Sequence, residues 1–373
     1  MTKTSDLSER RQQQQLITES AAAFAKRELL PSALRSGSIS HTRWQGLAEL
    51  GLMSLLIPED AGGLGLKIGD LVPALEQLGK PLLREPFIAS AVLAGVVLAG
   101  SGTPKSASLL ESLAEGVLIP AVAWQESYDL AGDHTSTKLS KENGGQNLSG
   151  RKILVTPGDE VDGFIVAASG AGVTTLVWVA ANAEGVKVET RRAADGGEAA
   201  TVHFENVAVT DDDVLSVDGA ALLDEAQQLA TIAVCAELLG LIRGAIDMTM
   251  DYLRTRKQFN RTIGSFQALQ HRATDLFIQQ ELSAVAISRA VADFEMATDS
   301  RTRAIAASRA KARLSSAALI VTKEAIQMHG GIGYTDEHDI GLYLKRALTL
   351  SAWLGNAAEH RARFARLTLG EAA

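Results

Sequence analysis

The chain has 373 residues, 46 % of them hydrophobic, enough to bury a sizeable core and to form two or three domains by the usual size relation. Its 36 Lys and Arg against 44 Asp and Glu give a formal charge of −8 with no long basic run, which argues against a nucleic-acid partner. The single cysteine, Cys235, lies in an apolar stretch, so neither a disulfide framework nor a Cys-based metal site is expected, and a reducing cytoplasm fits best.

The opening MTKTSDLSERRQQQQLITES has no apolar core followed by a small-residue cleavage site, so no secretory leader is expected. Apolar residues recur at helical spacing from Asp6 to Leu30 and again from His41 to Leu55, with Pro31 ending the first run. The run PFIASAVLAGVVLAG from Pro86 is roughly 15 residues long, too short for a hydrocarbon layer of about 30 Å. It reads as a buried helix, and no membrane span is expected. Residues 1–120 thus form an α-helical domain.

Over 121–215 the texture changes to RKILVTP, DGFIVAAS, TTLVWVAA, GVKVET and ATVHFENVAV, separated by Gly, Asp and Asn, which predicts a small β domain. From Ala220 the helical period returns: Leu222, Ala226, Leu229, Ala233 and Ala236 mark one face of a helix reaching about Thr255. A second helix follows Gly264 and Ser265, with Phe266, Leu269, Ala273, Leu276 and Phe277 on its inner face. A third runs from about Arg301 to His329 and ends at Gly330 and Gly331, where a left-handed cap costs glycine little. A fourth starts near Asp339. Helices, a sheet, then antiparallel helices make an α+β chain whose residues 216–373 form a C-terminal four-helix bundle.

Four segments, in this order, resemble the acyl-CoA dehydrogenase family and together cover nearly the whole chain. They are WQGLAELGLMSLLIPEDAGGLGL from Trp44, NLSGRKILVTPGDEVDGFIVAA from Asn147, RTRKQFNRTIGSFQALQHRATDLFI from Arg254 and QMHGGIGYTDEHDIGLYLKR from Gln327. The resemblance implies the family's fold, with a β-barrel as the middle domain, and its reaction. A glutamate takes the α proton of an acyl-CoA thioester while the β hydrogen leaves as hydride to FAD, the electron sink. It further implies an electron-transfer acceptor protein as a partner.

Carried over residue by residue, the resemblance gives Thr156 the place of a threonine whose hydroxyl faces the flavin's reactive nitrogen. Arg256, Phe259 and Gln267 take places that reach across a dimer interface to a neighbour's FAD pyrophosphate and adenosine. Gln327, Gly330 and Gly331 match the backbone-rich cradle for the same nucleotide. A guanidinium makes forked bonds to phosphate, and glycines let backbone amides approach it closely. By pattern alone the same residues also read as exposed helix ends, an ordinary helix stop and a strand threonine.

The departures are equally specific. The loop AWQESYDLAGDHT keeps Glu126 but has Gln125 where the family carries a flavin-contacting threonine, and it lacks the Pro-Gly turn and the Ser-Asp end. Leu154 stands where a tryptophan is common. In the segment LKRALTLSAWLGN the position of the family's catalytic glutamate is Leu354, and the following threonine is Asn356. The alternative base location, on the first bundle helix, falls at Ala230. Neither Leu354 nor Ala230 can take a proton. Glu225, five residues before Ala230, is the candidate substitute, and Glu237 is the other carboxylate nearby.

Three readings follow. The chain resembles the base-lacking subunit of bacterial heteromeric α2β2 acyl-CoA dehydrogenases, which lends its bundle to complete a partner's FAD site. The rivals are a self-sufficient homotetramer with Glu225 as a displaced base, and a structural member without flavin. The first is preferred, because RKQF, Gln267 and QMHGG are intact while the flavin loop and the base are not.

Overall fold

The computed structural model describes residues 2–128, 135–142 and 145–370. Helices come first: α1 (Thr2–Glu28), α2 (His41–Glu49), α3 (Ile68–Gly79), α4 (Gly95–Ser101, continuing a π-helical stretch Ile88–Ala94) and α5 (Pro104–Ala114). Strands follow: β1 (Pro120–Ala123), β2 (Lys138–Glu142), β3 (Gly145–Val155), β4 (Gly163–Gly170), β5 (Val173–Ala180), β6 (Val186–Arg192), β7 (Glu198–Val209) and β8 (Val214–Ser216). The long α6 (Ala220–Thr255) leads to a hairpin of β9 (Lys257–Gln258) and β10 (Arg261–Thr262). The chain ends in α7 (Gln267–Met296), α8 (Ser300–His329), α9 (Ile340–Ala352) and α10 (Ala357–Leu369). The helix, sheet, helix order is the α+β arrangement expected from the alternation of periods.

Contacts divide the chain into two compact units. One, a sheet unit, comprises Gly37–Lys67 and Arg84–Ala230. Its strands run β6-β7-β3-β2-β4-β5-β8, with β1 parallel to β4, so the implied barrel takes the form of a mixed sheet. No pairing joins β6 to β8 among the described residues. Alternate residues of β3, β4, β5 and β7 turn inward, as period 2 demands, and bury Leu148, Val166, Val177 and Val202 around Phe164 and Phe204. Those two rings meet edge to face, 6.4 Å apart.

The second, helical unit comprises Met1–Ser36, Ile68–Leu83 and Thr231–Ala373. Its interior is set by α8, which buries a stripe of small residues at helical spacing, Ala304, Ala307, Ala310, Ala317 and Ala318. The helix α6 is long and apolar enough to cross a bilayer, yet 89 % of its most apolar window is buried in the fold, so burial accounts for its composition.

Three local expectations change. The helix from His41 ends at Glu49, because Gly51 adopts φ +70° and Leu52–Ser54 form a separate 3-10 turn. On α7, Leu276 is buried but Phe277 is 55 % exposed, since one step along a helix turns a side chain by about 100°. The helix near Asp339 is two helices, α9 and α10, separated where Leu354 and Gly355 adopt φ +57° and +99°.

Candidate cofactor and base positions

In the sheet unit, Gln125 leaves β1 beside the end of β3, where its carbonyl accepts from the Ile153 amide at 2.8 Å. A bulge between Lys152 and Val155 puts Leu154 at φ +53° and leaves it exposed. Thr156 follows, half-buried, with its hydroxyl 3.4 Å from the Leu154 carbonyl. The structure therefore brings Gln125, Leu154 and Thr156 to one end of the sheet. Their polar neighbours are already engaged. Glu126 accepts from Lys152 Nζ at 2.6 Å, from the Ser136 amide at 2.6 Å and from the Thr137 amide at 3.0 Å. Burial alone would raise this carboxyl, but the bonds from Lys152, Ser136 and Thr137 outweigh it and hold Glu126 down at about 2. The Gln125 amide donates to the Ser127 carbonyl at 2.8 Å. The expected loss of the Ser-Asp end of this loop falls at residues 129–134, outside the described residues.

In the helical unit, Arg256, Phe259 and Gln267 gather on one exposed tip. Phe259 and Asn260 form a two-residue turn with φ +52° and +61°, the signature that joins β9 to β10 with the right twist. That conformation suits Asn or Gly; Phe adopts it here with its ring 86 % exposed. Phe266, at the start of α7, meets the Phe259 ring edge to face at 6.1 Å, and the Arg261 guanidinium lies over it at 4.0 Å. The Arg256 backbone is pinned by bonds to Tyr252 and Ile263, both 2.9 Å, while its exposed guanidinium has no partner among the described residues. Gln267 opens α7, whose first amides receive no side-chain cap.

The glycine segment lies at the C-terminal end of α8. Gly330 adopts φ +67°, and a Cβ on Gly330 or Gly331 would meet nothing within 4 Å, so this backbone is open to approach. Gln327 is exposed and accepts from the Tyr334 hydroxyl at 3.2 Å.

Position 354 is built with unusual care. Lys311, fully buried on α8, donates to the carbonyls of Leu350 (3.0 Å), Ser351 (3.2 Å) and Gly355 (2.9 Å). His360 Nε2 donates to the Leu354 carbonyl at 2.8 Å. Burial, helped by the Lys311 charge, pushes His360 down to about 4, so the ring is neutral. Burial likewise lowers Lys311 to about 8 and raises the neighbouring Cys235 thiol to about 12, which leaves it inert. Asn356 and Glu359 form a capping box that starts α10. The turn is over-determined, and the side chain it carries is Leu354, 8 % exposed.

The carboxylates close to these positions in sequence are committed elsewhere or turned away. Glu359 is the cap just described. Glu237 is buried and accepts twice from Arg346, at 2.9 and 2.6 Å. Ala230 is buried, and Glu225 is exposed about 140° round the helix from it, at 100° per residue. Sequence reasoning missed Lys311 and His360. The available signal was a lysine inside a buried small-residue stripe, Ser308, Lys311, Ser315, Ala318 and Thr322.

The acyl-CoA dehydrogenase C-terminal domain matches residues 218–369, and the N-terminal domain of the same family matches residues 11–116. The acyl-CoA dehydrogenase IpdE2 of Mycolicibacterium smegmatis is 33 % identical over 358 residues, 94 % of this chain and 97 % of the relative. Among solved structures, the ChsE4-ChsE5 complex from Mycobacterium tuberculosis superposes with TM-score 0.86 at 25 % identity, covering 97 % of this chain and 98 % of its own. A variant of the Tcur3481-Tcur3483 steroid ACAD does so with TM-score 0.82 at 29 % identity, covering 97 % and 98 %. Matched at both ends and one-third identical to a relative along almost its full length, the chain belongs to the acyl-CoA dehydrogenase family, whose members are FAD-binding flavoproteins.

Proposed function

We propose that this chain is the subunit of a heteromeric acyl-CoA dehydrogenase that lacks the proton-abstracting glutamate and completes the FAD site of a second, related chain in an α2β2 assembly. The observation that carries this reading is the turn at Trp353–Asn356. Lys311 and His360 hold it from four carbonyls, and the residue it presents is a leucine. A hydrocarbon cannot accept the α proton of a thioester, so abstraction falls to a glutamate of the partner.

The hairpin tip fits a flavin dinucleotide. The Arg256 guanidinium, exposed and without a partner among the described residues, and the uncapped amides of α7 offer positive charge to a pyrophosphate, Phe259 offers a ring face to adenosine, and Gly330 and Gly331 let backbone amides come close. When bound, FAD supplies the hydride acceptor for α,β-dehydrogenation. An exposed apolar run on α7, Phe277, Ile278, Leu282 and Val285, supports assembly with another chain, as does the likeness to a two-chain complex. The steroid dehydrogenase at 29 % identity supports an acyl-CoA of lipid or steroid catabolism as substrate. Electrons would pass to an electron-transfer acceptor protein in the cytoplasm.

The test pairs Leu354→Glu in this chain with a partner whose base has been replaced. A general base contributes roughly 10² to 10⁴ in rate only when it is within reach of a correctly bound substrate. The expected result is no efficient turnover; a rate near wild type would show that this chain holds a complete site. If the chain alone proves yellow and active, the homotetramer is correct, and Glu225→Gln becomes the decisive variant.

A further inference from the structure

Tyr252, His329 and His338 come from three separate stretches of the helical unit and stack together. The Tyr252 and His329 rings lie 4.5 Å apart at 25°, and His338 is 4.6 Å from His329 and 6.1 Å from Tyr252. Each ring roots a segment described above. The Tyr252 carbonyl accepts from the Arg256 amide at 2.9 Å, at the foot of the β9–β10 hairpin. His329 ends α8, directly before Gly330, and His338 closes the segment that follows.

The proton arrangement within the stack is defined by its bonds. His329 is 3 % exposed, and its Nδ1 donates to the Ala325 carbonyl at 2.7 Å. Its Nε2 therefore carries a bare lone pair, buried without a hydrogen-bond partner among the described residues. His338 Nδ1 accepts from the Ile340 amide at 3.1 Å, so the neutral His338 ring bears its proton on Nε2. The titratable groups facing His329 are Tyr252 from α6 and His338 from the stretch before α9. No carboxylate pairs with it among the described residues. Burial is the main influence holding His329 below the ordinary histidine range, with His338 adding to it.

We propose that this stack is a latch that holds the Arg256–Phe259 hairpin and the Gly330–Gly331 segment in one arrangement, and that protonation of His329 opens it. A proton on Nε2 would create an imidazolium with no acceptor, pressed against a second imidazole. The opened stack therefore takes the proton more readily than the closed one. The sign follows by linkage: the closed form is fully favoured above about pH 6.5 and loses ground as the pH falls below it. One pH unit below that point, the shift toward the open form is at most about tenfold. Given the function proposed above, the grip on a partner's FAD weakens in the same window.

The experiment is hydrogen exchange on the full chain at about pH 7.5 and about pH 5.5, expressed as protection corrected for intrinsic exchange, with FAD retention by the assembled complex measured alongside. Protection over 252–263 and 327–339 should fall together on acidification, by up to about tenfold. His329→Phe, which keeps an aromatic ring without a titrating nitrogen, should abolish the fall. His338→Phe, which removes the opposing imidazole, should make the fall smaller. An unchanged pH response in His329→Phe, or a fall in only one of the two segments, overturns the latch. If both segments loosen and His329→Phe prevents it while FAD retention stays constant, the latch stands and the assignment of the hairpin as the FAD-holding face fails.

Discussion

Two segments of this chain, both expected from the family resemblance to lie at FAD, treat their polar groups in opposite ways. Around Gln125 the groups turn inward: Glu126 is bonded to Lys152, Ser136 and Thr137, and the Gln125 amide closes on Ser127. At the hairpin tip they turn outward: Arg256 and Gln267 have no side-chain partner among the described residues, and Phe259 stands exposed in a left-handed conformation. Groups already satisfied by their own chain have little to offer a ligand. A bulky residue held in a costly conformation at the surface, against the Phe266 ring, points to a role in function rather than in the fold. The first segment braces its own fold, and the second is the one proposed above to meet another molecule.

The largest effect should come from breaking the brace. Glu126→Ala leaves the Lys152 ammonium buried without its counter-ion, and breaking such a pair costs about 3–5 kcal/mol, read as a lower urea midpoint. An unchanged midpoint would place the brace elsewhere. The same pair predicts the acid response. Glu126 lies at about 2 in the fold against an ordinary 4.5, so its contribution is present above 4.5 and is lost as the pH falls toward 2. Glu126→Gln should lack this part of the acid loss.

Next comes the recognition face. Arg256→Ala and Gln267→Ala each remove a charge-assisted contact worth about 1.5–3 kcal/mol, so each should weaken FAD retention by the complex roughly ten- to a hundredfold. The unfolding midpoint should not move, because neither side chain bonds to another among the described residues; a parallel loss of stability would erase the contrast between the two segments. The smallest effect sharpens it most. Phe259→Asn places a residue suited to the turn at φ +52° and should stabilise the isolated chain by about 1 kcal/mol while lowering FAD retention. A variant less stable than wild type would show that Phe259 is held by its own fold.

Much of this architecture was legible in the sequence because periodicity reports local burial. The α8 helix ends at the glycine pair, and the β-rich segments became strands. What stayed hidden depends on partners distant along the chain. Nothing local marks Leu354 as left-handed; that conformation is imposed by Lys311 and His360 from two other helices. Phe277 looked like core because an apolar residue on a helix carries no label for which neighbour will cover it. Glu126 kept its family identity in sequence, and its engagement with Lys152 shows only once β1 and β3 lie side by side. The Tyr252, His329 and His338 stack likewise required three segments to meet.

The central claim, that this chain completes a site whose base lies on another chain, is tested most directly by the ratio of FAD to chain. It should be measured for the protein alone and for its complex with a related, glutamate-bearing dehydrogenase chain. The account predicts negligible FAD and no acyl-CoA oxidation alone, then one FAD for each pair of chains in an active complex, lost when Arg256 and Gln267 are replaced by alanine. One FAD per chain in the isolated protein, with acyl-CoA oxidation that survives those replacements, would contradict it.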